Sequence, residues 1–207
     1  GLKSAVKNAK VLAFGAVQQP PVLKTARLNP LDVKINCTLM SGLPATAPVF
    51  SPDKADTVIV LNCDGEMQTD TNRLLQPEFP SDTLRAFDGE LHGRLRYGPG
   101  KKSNDYVMNW TSTNEFISWP VRLNEPATYD VSINYVAETN SDGGEFSVSF
   151  GSQTLNGTVK AGDPQIVSLG HISLQSGTFE IKVAAKEISG GELFRLRSLV
   201  LKPVASP

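Results

Sequence analysis

Four aromatic residues between Tyr97 and Trp119 are the best chemical lead in this chain. Tyr97, Tyr106, Trp110 and Trp119 make up half of its tyrosines and both of its tryptophans. Asn104, Asp105, Asn109 and Asn114 are interleaved with them. Such a mixture suits a sugar: a ring packs on the apolar C–H face of a pyranose while amides and carboxylates hydrogen-bond its hydroxyls. Trp119 is in phase with Ile117, Val121 and Leu123, which assigns it to a core. Trp110 lies off any alternation, so a core place and a ligand-facing place both stay open. The expected carbohydrate-binding set is therefore Tyr97, Asn104, Tyr106, Asn109 and Trp110. Lys101 and Lys102 read as a solvated basic turn rather than as contacts to an acidic sugar.

Catalytic chemistry has no comparable support. His92 and His171 are the only histidines, and each stands beside a glycine in an expected strand. No G-x-S-x-G, H-E-x-x-H or C-x-x-C occurs. The loop YGPGKKSND has Leu95 where a phosphate-binding loop needs its first glycine. Glycoside hydrolysis needs two carboxylates facing each other across a cleft, and no pair is marked by spacing. Asp64 and Glu66 flank Gly65 in a solvated turn. The chain is thus expected not to be an enzyme by itself. Asp88 and Glu90 in AFDGELHG could offer oxygen ligands to a structural Ca²⁺, but further ligands are not identifiable, and no cofactor is predicted. Cys37 and Cys63 read as buried thiols, with a disulfide between adjacent strands as the alternative. Two Cys and two distant His are too few for a zinc site.

Composition narrows the partners. The 207 residues carry a formal charge of -1, and the pI of about 6.2 gives no electrostatic reason to expect nucleic acid or an anionic membrane. No apolar run approaches the roughly 20 residues of a membrane-spanning helix. The chain opens Gly1-Leu2-Lys3 without an initiating Met, which reads as a piece excised or processed from a longer protein.

The elements that must position the aromatic residues are strands. Residues 116–150 alternate in three runs: Ile117, Trp119, Val121, Leu123; then Tyr129, Val131, Ile133, Tyr135; then Phe146, Val148, Phe150. Period two predicts three strands that each hide one face, broken by the turn-formers NEPA and NSDGG. Further strands are expected over 84–87, 91–97, 153–159, 165–174, 178–185 and 194–203. A change of apolar register between Leu196 and Leu199 predicts a bulge in the last one. Upstream, strands are expected over 10–16, 22–28, 31–39 and 57–63. No long helical period occurs. The fold class is all-β, with two β-sandwich domains of jelly-roll type: an accessory sandwich over 1–72, a linker over 73–83 where the alternation lapses, and a second module over 84–207.

At these residues the chain resembles a known family. DTVIVLNCDGE (56–66) is similar to the closing strand of the C-terminal β-sandwich of family 29 glycoside hydrolases, the α-L-fucosidases, and AKVLAFGA is similar to its opening strand. AFDGELHG, the W-x-V-x-L strand with Tyr129-Asp130-Val131 ten residues after Trp119, LGHISL and LVLKP resemble the galactose-binding-like modules appended to such enzymes. These in turn are similar to carbohydrate-binding modules of families 6 and 35. The resemblance implies a non-catalytic C-terminal fragment of a secreted or periplasmic glycosidase, with a glycan and an N-terminal catalytic barrel as partners. The alternative is a purely structural pair of sandwiches that braces the barrel. No catalytic residue carries over. Calcium-binding relatives often carry an Asp in the last strand, where this chain has Phe194-Arg195-Leu196-Arg197-Ser198.

Overall fold

A computed structural model describes residues 1–12, 22–36, 58–100 and 105–204. The chain divides into two units, Gly1–Thr71 and Asn72–Pro207. In the first, β1 (Val6–Leu12), β2 (Val22–Arg27), β3 (Val33–Asn36) and β4 (Val58–Cys63) form one antiparallel sheet in the order β3-β2-β1-β4. Its apolar face is Ala9, Val11 and Leu23, joined by Ile35, Ile59 and Leu61. The Arg27 guanidinium donates to the carbonyls of Leu2 and Ser4, both at 2.5 Å, and so ties down the N-terminal segment. β1 starts four residues before the expected 10–16. Cys63 closes β4 and is half-buried, and Cys37 lies outside the described residues.

The second unit is a two-sheet sandwich. Its strands are β5 (Arg73–Leu75), β6 (Asp82–Arg85), β7 (Glu90–His92), β8 (Arg96–Tyr97), β9 (Val107–Met108), β10 (Phe116–Leu123), β11 (Ala127–Ala137), β12 (Glu145–Phe150), β13 (Gln153–Thr158), β14 (Gly162–Leu174), β15 (Gly177–Glu187) and β16 (Arg195–Pro203). One sheet runs β13-β12-β15-β10-β5, with β7 beside β10. The other runs β14-β11-β16-β9-β8, with β6 beside β16. The three alternating runs of the sequence are β10, β11 and β12, and every one of their in-phase residues is buried. Inside, Phe194 stacks on Tyr135 at 5.1 Å and takes the edges of Trp110 and Phe146 at 5.1 and 5.3 Å. Burying a large side chain of this kind is worth roughly 1.5–3 kcal/mol.

Two departures from the sequence reading have physical causes. Residues 73–83, expected as a linker, carry β5 and the start of β6. β5 pairs in parallel with Val121–Leu123, and β6 pairs with Ser198–Leu201. These strands of three and four residues are too short to show an alternation, and only distant partners hold them. The single strand expected over 91–97 is two, because Gly93 adopts φ +82 and turns the chain where a side chain would be strained. The expected bulge is present: the register of β16 on β11 shifts between Asn134 and Tyr135, opposite Ser198 and Leu196.

Candidate functional site

The expected binding residues do not form one cluster. Trp110 is fully buried, and its Nε1–H donates to the Val107 carbonyl at 3.2 Å. It belongs to the core and offers no face to a ligand, which corrects its place in the expected set. Its position outside a strand hid this, because no period links it to Phe194 and Tyr135. Trp119 is also core, and donates to the Arg85 carbonyl. Asn109 holds the turn into Trp110 with φ 73. Its amide Nδ2 donates to the Arg94 carbonyl at 2.5 Å, and its backbone N–H donates to the Glu192 carboxylate. These bonds make Asn109 a structural residue here. Asn104 lies outside the described residues.

Tyr106 is half-buried and lies under Arg195, whose guanidinium carbon is 5.8 Å from the ring centre. Arg195 donates to Glu138 at 2.8 Å and to Glu192 at 3.2 Å. Burial alone would lower the Arg195 pKa, but the charges of Glu192 and Glu138 outweigh it and hold the guanidinium above its ordinary value. This end of the sandwich is a self-satisfied ion cluster with little capacity left for a ligand.

Tyr97 is different. It is 49% exposed, and its hydroxyl donates to the Gly89 carbonyl at 3.1 Å. Its ring meets Phe87, 37% exposed, with centroids 5.2 Å apart and planes tilted by 33°. The architecture explains the pairing. β5 and β7 lie one after the other along one edge of β10, and β6 and β9 do so along one edge of β16. The one-turn 3-10 helix Ala86–Asp88 crosses from β6 in one sheet to β7 in the other. It closes the open edge of the sandwich, with Phe87 outward and Ala86 inward. Gly89 must stay small there, because a Cβ would sit 2.6 Å from Ile117 Cγ1 and 2.9 Å from Trp119 Cε2. Next to Phe87 in the chain, the Asp88 carboxylate oxygen Oδ2 stands 3.6 Å from an Arg73 nitrogen and 3.5 Å from Arg85 Nε. The candidate site is thus a tilted aromatic pair flanked by two guanidiniums and one carboxylate. Sequence reasoning found Tyr97 and missed Phe87. The strand assigned to 84–87 gave Phe87 no distinction, and only the one-turn helix turns it outward.

Elsewhere in this unit an open groove of about 560 Å³ is lined by Glu78, Phe79, Thr128 and Lys202 among prolines. None of the expected site residues lines it. The Thr128 hydroxyl is already engaged with that of Ser173 at 2.9 Å. Among the described residues no group of three or more His, Cys, Asp or Glu is placed to hold a metal ion. Asp88 and Glu90, the calcium candidates, are in no such group.

Residues 97–206 match the model of a family described as a domain of unknown function (DUF5077), more than half of the chain. The chain belongs to this family. The matched span opens at Tyr97 and leaves Arg73, Arg85 and Phe87 outside it. No curated protein matches the chain. Solved structures do. A GH26-CBM35 β-(1,4)-mannanase of Podospora anserina is 22% identical with a TM-score of 0.51, over 62% of this chain and 28% of that one. The Cry4Aa mosquito-larvicidal toxin of Bacillus thuringiensis is 11% identical with a TM-score of 0.54, over 72% and 27%. The CBM36-1 domain of a multidomain xylanase from the hindgut metagenome of Trinervitermes trinervoides is 11% identical with a TM-score of 0.52, over 61% and 99%. The chain spans just over a quarter of the mannanase and of the toxin. At these identities the likeness is one of fold: an all-β sandwich of the kind found in carbohydrate-binding modules.

Proposed function

We propose that residues 72–207 are a non-catalytic carbohydrate-binding module whose glycan rests on the sandwich edge at Phe87 and Tyr97. The observation that carries this reading is the exposed ring pair, whose Phe87 is followed in the chain by Asp88, a carboxylate that meets Arg73 and Arg85. Rings of this size stacked on a sugar face supply affinity without a deep pocket. The module fold of the termite-gut xylanase domain supports it, as does the sequence resemblance. On the same reading the chain is the C-terminal part of an α-L-fucosidase-like glycoside hydrolase, secreted or periplasmic, whose catalytic groups sit on another domain.

Calorimetric titration with fucosylated, galactosylated and xylan-derived oligosaccharides tests the binding claim. The double variant Phe87→Ala, Tyr97→Ala is expected to abolish the heat, while Phe79→Ala in the groove beside Lys202 leaves it unchanged. Absence of binding by the unaltered chain to every glycan tried would remove the claim. A second reading is favoured by the burial of Trp110: a bracing module with no ligand, in which most of the aromatic surface lies in the core. It predicts that the double variant changes nothing but solubility.

A further inference from the structure

The edge that carries Phe87 and Tyr97 also has more guanidinium than its own carboxylate uses. Asp88 meets both Arg73 and Arg85 through the same oxygen, at 3.6 and 3.5 Å. Both separations exceed the 2.7–2.9 Å of a charge-assisted hydrogen bond. The Arg85 side chain is 72% exposed and meets Asp88 through Nε at 3.5 Å. Among the described residues its two terminal nitrogens donate no hydrogen bond, whereas the Arg85 carbonyl accepts one from Trp119. Arg195 is the contrast within this fold, since Glu192 and Glu138 occupy its Nε and one terminal nitrogen. An arginine with its terminal fork open presents the planar geometry that grips a carboxylate through two parallel bonds.

The neighbouring charges do not cancel this geometry. Asp82 acts on Arg73 electrostatically, but it is buried and its carboxylate accepts the Gln76 N–H at 2.7 Å. Glu90 is exposed on β7 and Arg96 on β8, one of each sign. Phe87 and the open fork belong to one stretch of chain, Arg85 to Asp88, two residues apart and both exposed, and Tyr97 joins this stretch through its ring contact with Phe87.

We infer that the glycan taken at this edge carries uronic acid residues, with the sugar carboxylate received by Arg85 and supported by Arg73. This rests on the carbohydrate-binding reading above. A neutral glycan would stack on the rings equally well but would leave the fork empty.

The probes are oligogalacturonides and glucuronate-containing oligosaccharides, each compared with its own methyl ester, which keeps the ring and loses the charge. The acid forms are expected to bind roughly 5- to 20-fold more tightly than the esters, and the gap should shrink at high salt. Arg85→Gln should close the gap by weakening the acid form far more than the ester, whereas Phe87→Ala should weaken acid and ester alike. Equal affinity for acid and ester, or an Arg85→Gln variant that keeps the gap, overturns the inference. Binding of neutral fucosylated or galactosylated chains with none of the uronates overturns it too, and leaves the carbohydrate-binding reading standing. Failure of every glycan removes both. Arg85 is an exposed side chain, and an unchanged melting temperature for Arg85→Gln separates lost contact from lost fold.

Discussion

Replacing Tyr129 by phenylalanine should leave the fold at least as stable at neutral pH and make it distinctly more resistant to alkali. Tyr129 points into the core from β11 and is fully buried. Its hydroxyl has no hydrogen-bond partner among the described residues. Burial, and then the charges of Asp82 and Glu78, push the phenol up to about 12. An unfolded tyrosine ionises near 10. The folded state therefore keeps this proton longer than the unfolded chain does. The contribution is fully present below pH 10 and is lost as pH rises towards 12. Two units at about 1.4 kcal/mol each give a loss of about 2–3 kcal/mol over that window. The Tyr129→Phe variant has no such proton to hold, so its stability should fall less by that amount. Tyr135, also raised by burial, is common to both proteins and cancels in the difference. At pH 7 the variant sheds a buried hydroxyl that makes no hydrogen bond, so its stability should be unchanged or higher by up to about 1 kcal/mol. Urea unfolding at pH 7, 9, 10.5 and 11.5 measures both quantities. A variant less stable by more than about 1 kcal/mol at pH 7 would mean that the hydroxyl has a partner. An alkaline slope equal to that of the unaltered protein would mean that Tyr129 does not hold its proton as argued.

Other outcomes follow from the same packing. With Trp110 and Trp119 both buried, tryptophan emission should be blue-shifted and nearly insensitive to acrylamide. Strong quenching in the folded protein would return Trp110 to the surface. Glu115 is 2% exposed, and its carboxylate accepts the backbone N–H groups of Thr111 and Ser112. Glu115→Ala should therefore cost about 2 kcal/mol or more in chemical denaturation. Glu115→Gln should recover part of that, and a cost near zero for Glu115→Ala would refute the capping role.

The legible parts of this chain were those whose partners lie close in sequence. β10, β11 and β12 follow one another with short turns, each hides one face, and their alternation survives intact. The bulge in β16 was visible because a register change displaces a whole run of apolar residues. The hidden parts depend on distance. β5 and β6 are short and are held by strands about 50 and 115 positions away. Trp110 sits in a turn, so its burial is decided by Phe194 and not by any neighbour in the sequence. The candidate site suffered for the same reason. Tyr97 could be proposed from its loop, but Phe87 becomes its partner only once the 3-10 helix has crossed between the sheets.

The position of β16 has a consequence for how the module is made. The last strand of this unit is not an edge: β11, β9 and β6 all pair with it. Half of the sandwich therefore has no centre until β16 leaves the ribosome. Until then β6 and the β8–β9 hairpin have no sheet to join, and the apolar faces of β11 and β10 stand open. Folding is thus deferred until the whole module has been synthesised, with the exposure to aggregation that long-range β pairing brings. A chain stopped before Arg195 would not be a slightly shorter module. It would lose the strand that joins β11 to β6 and to the β8–β9 pair, and with it the anchor of the crossover that holds Phe87 at the surface.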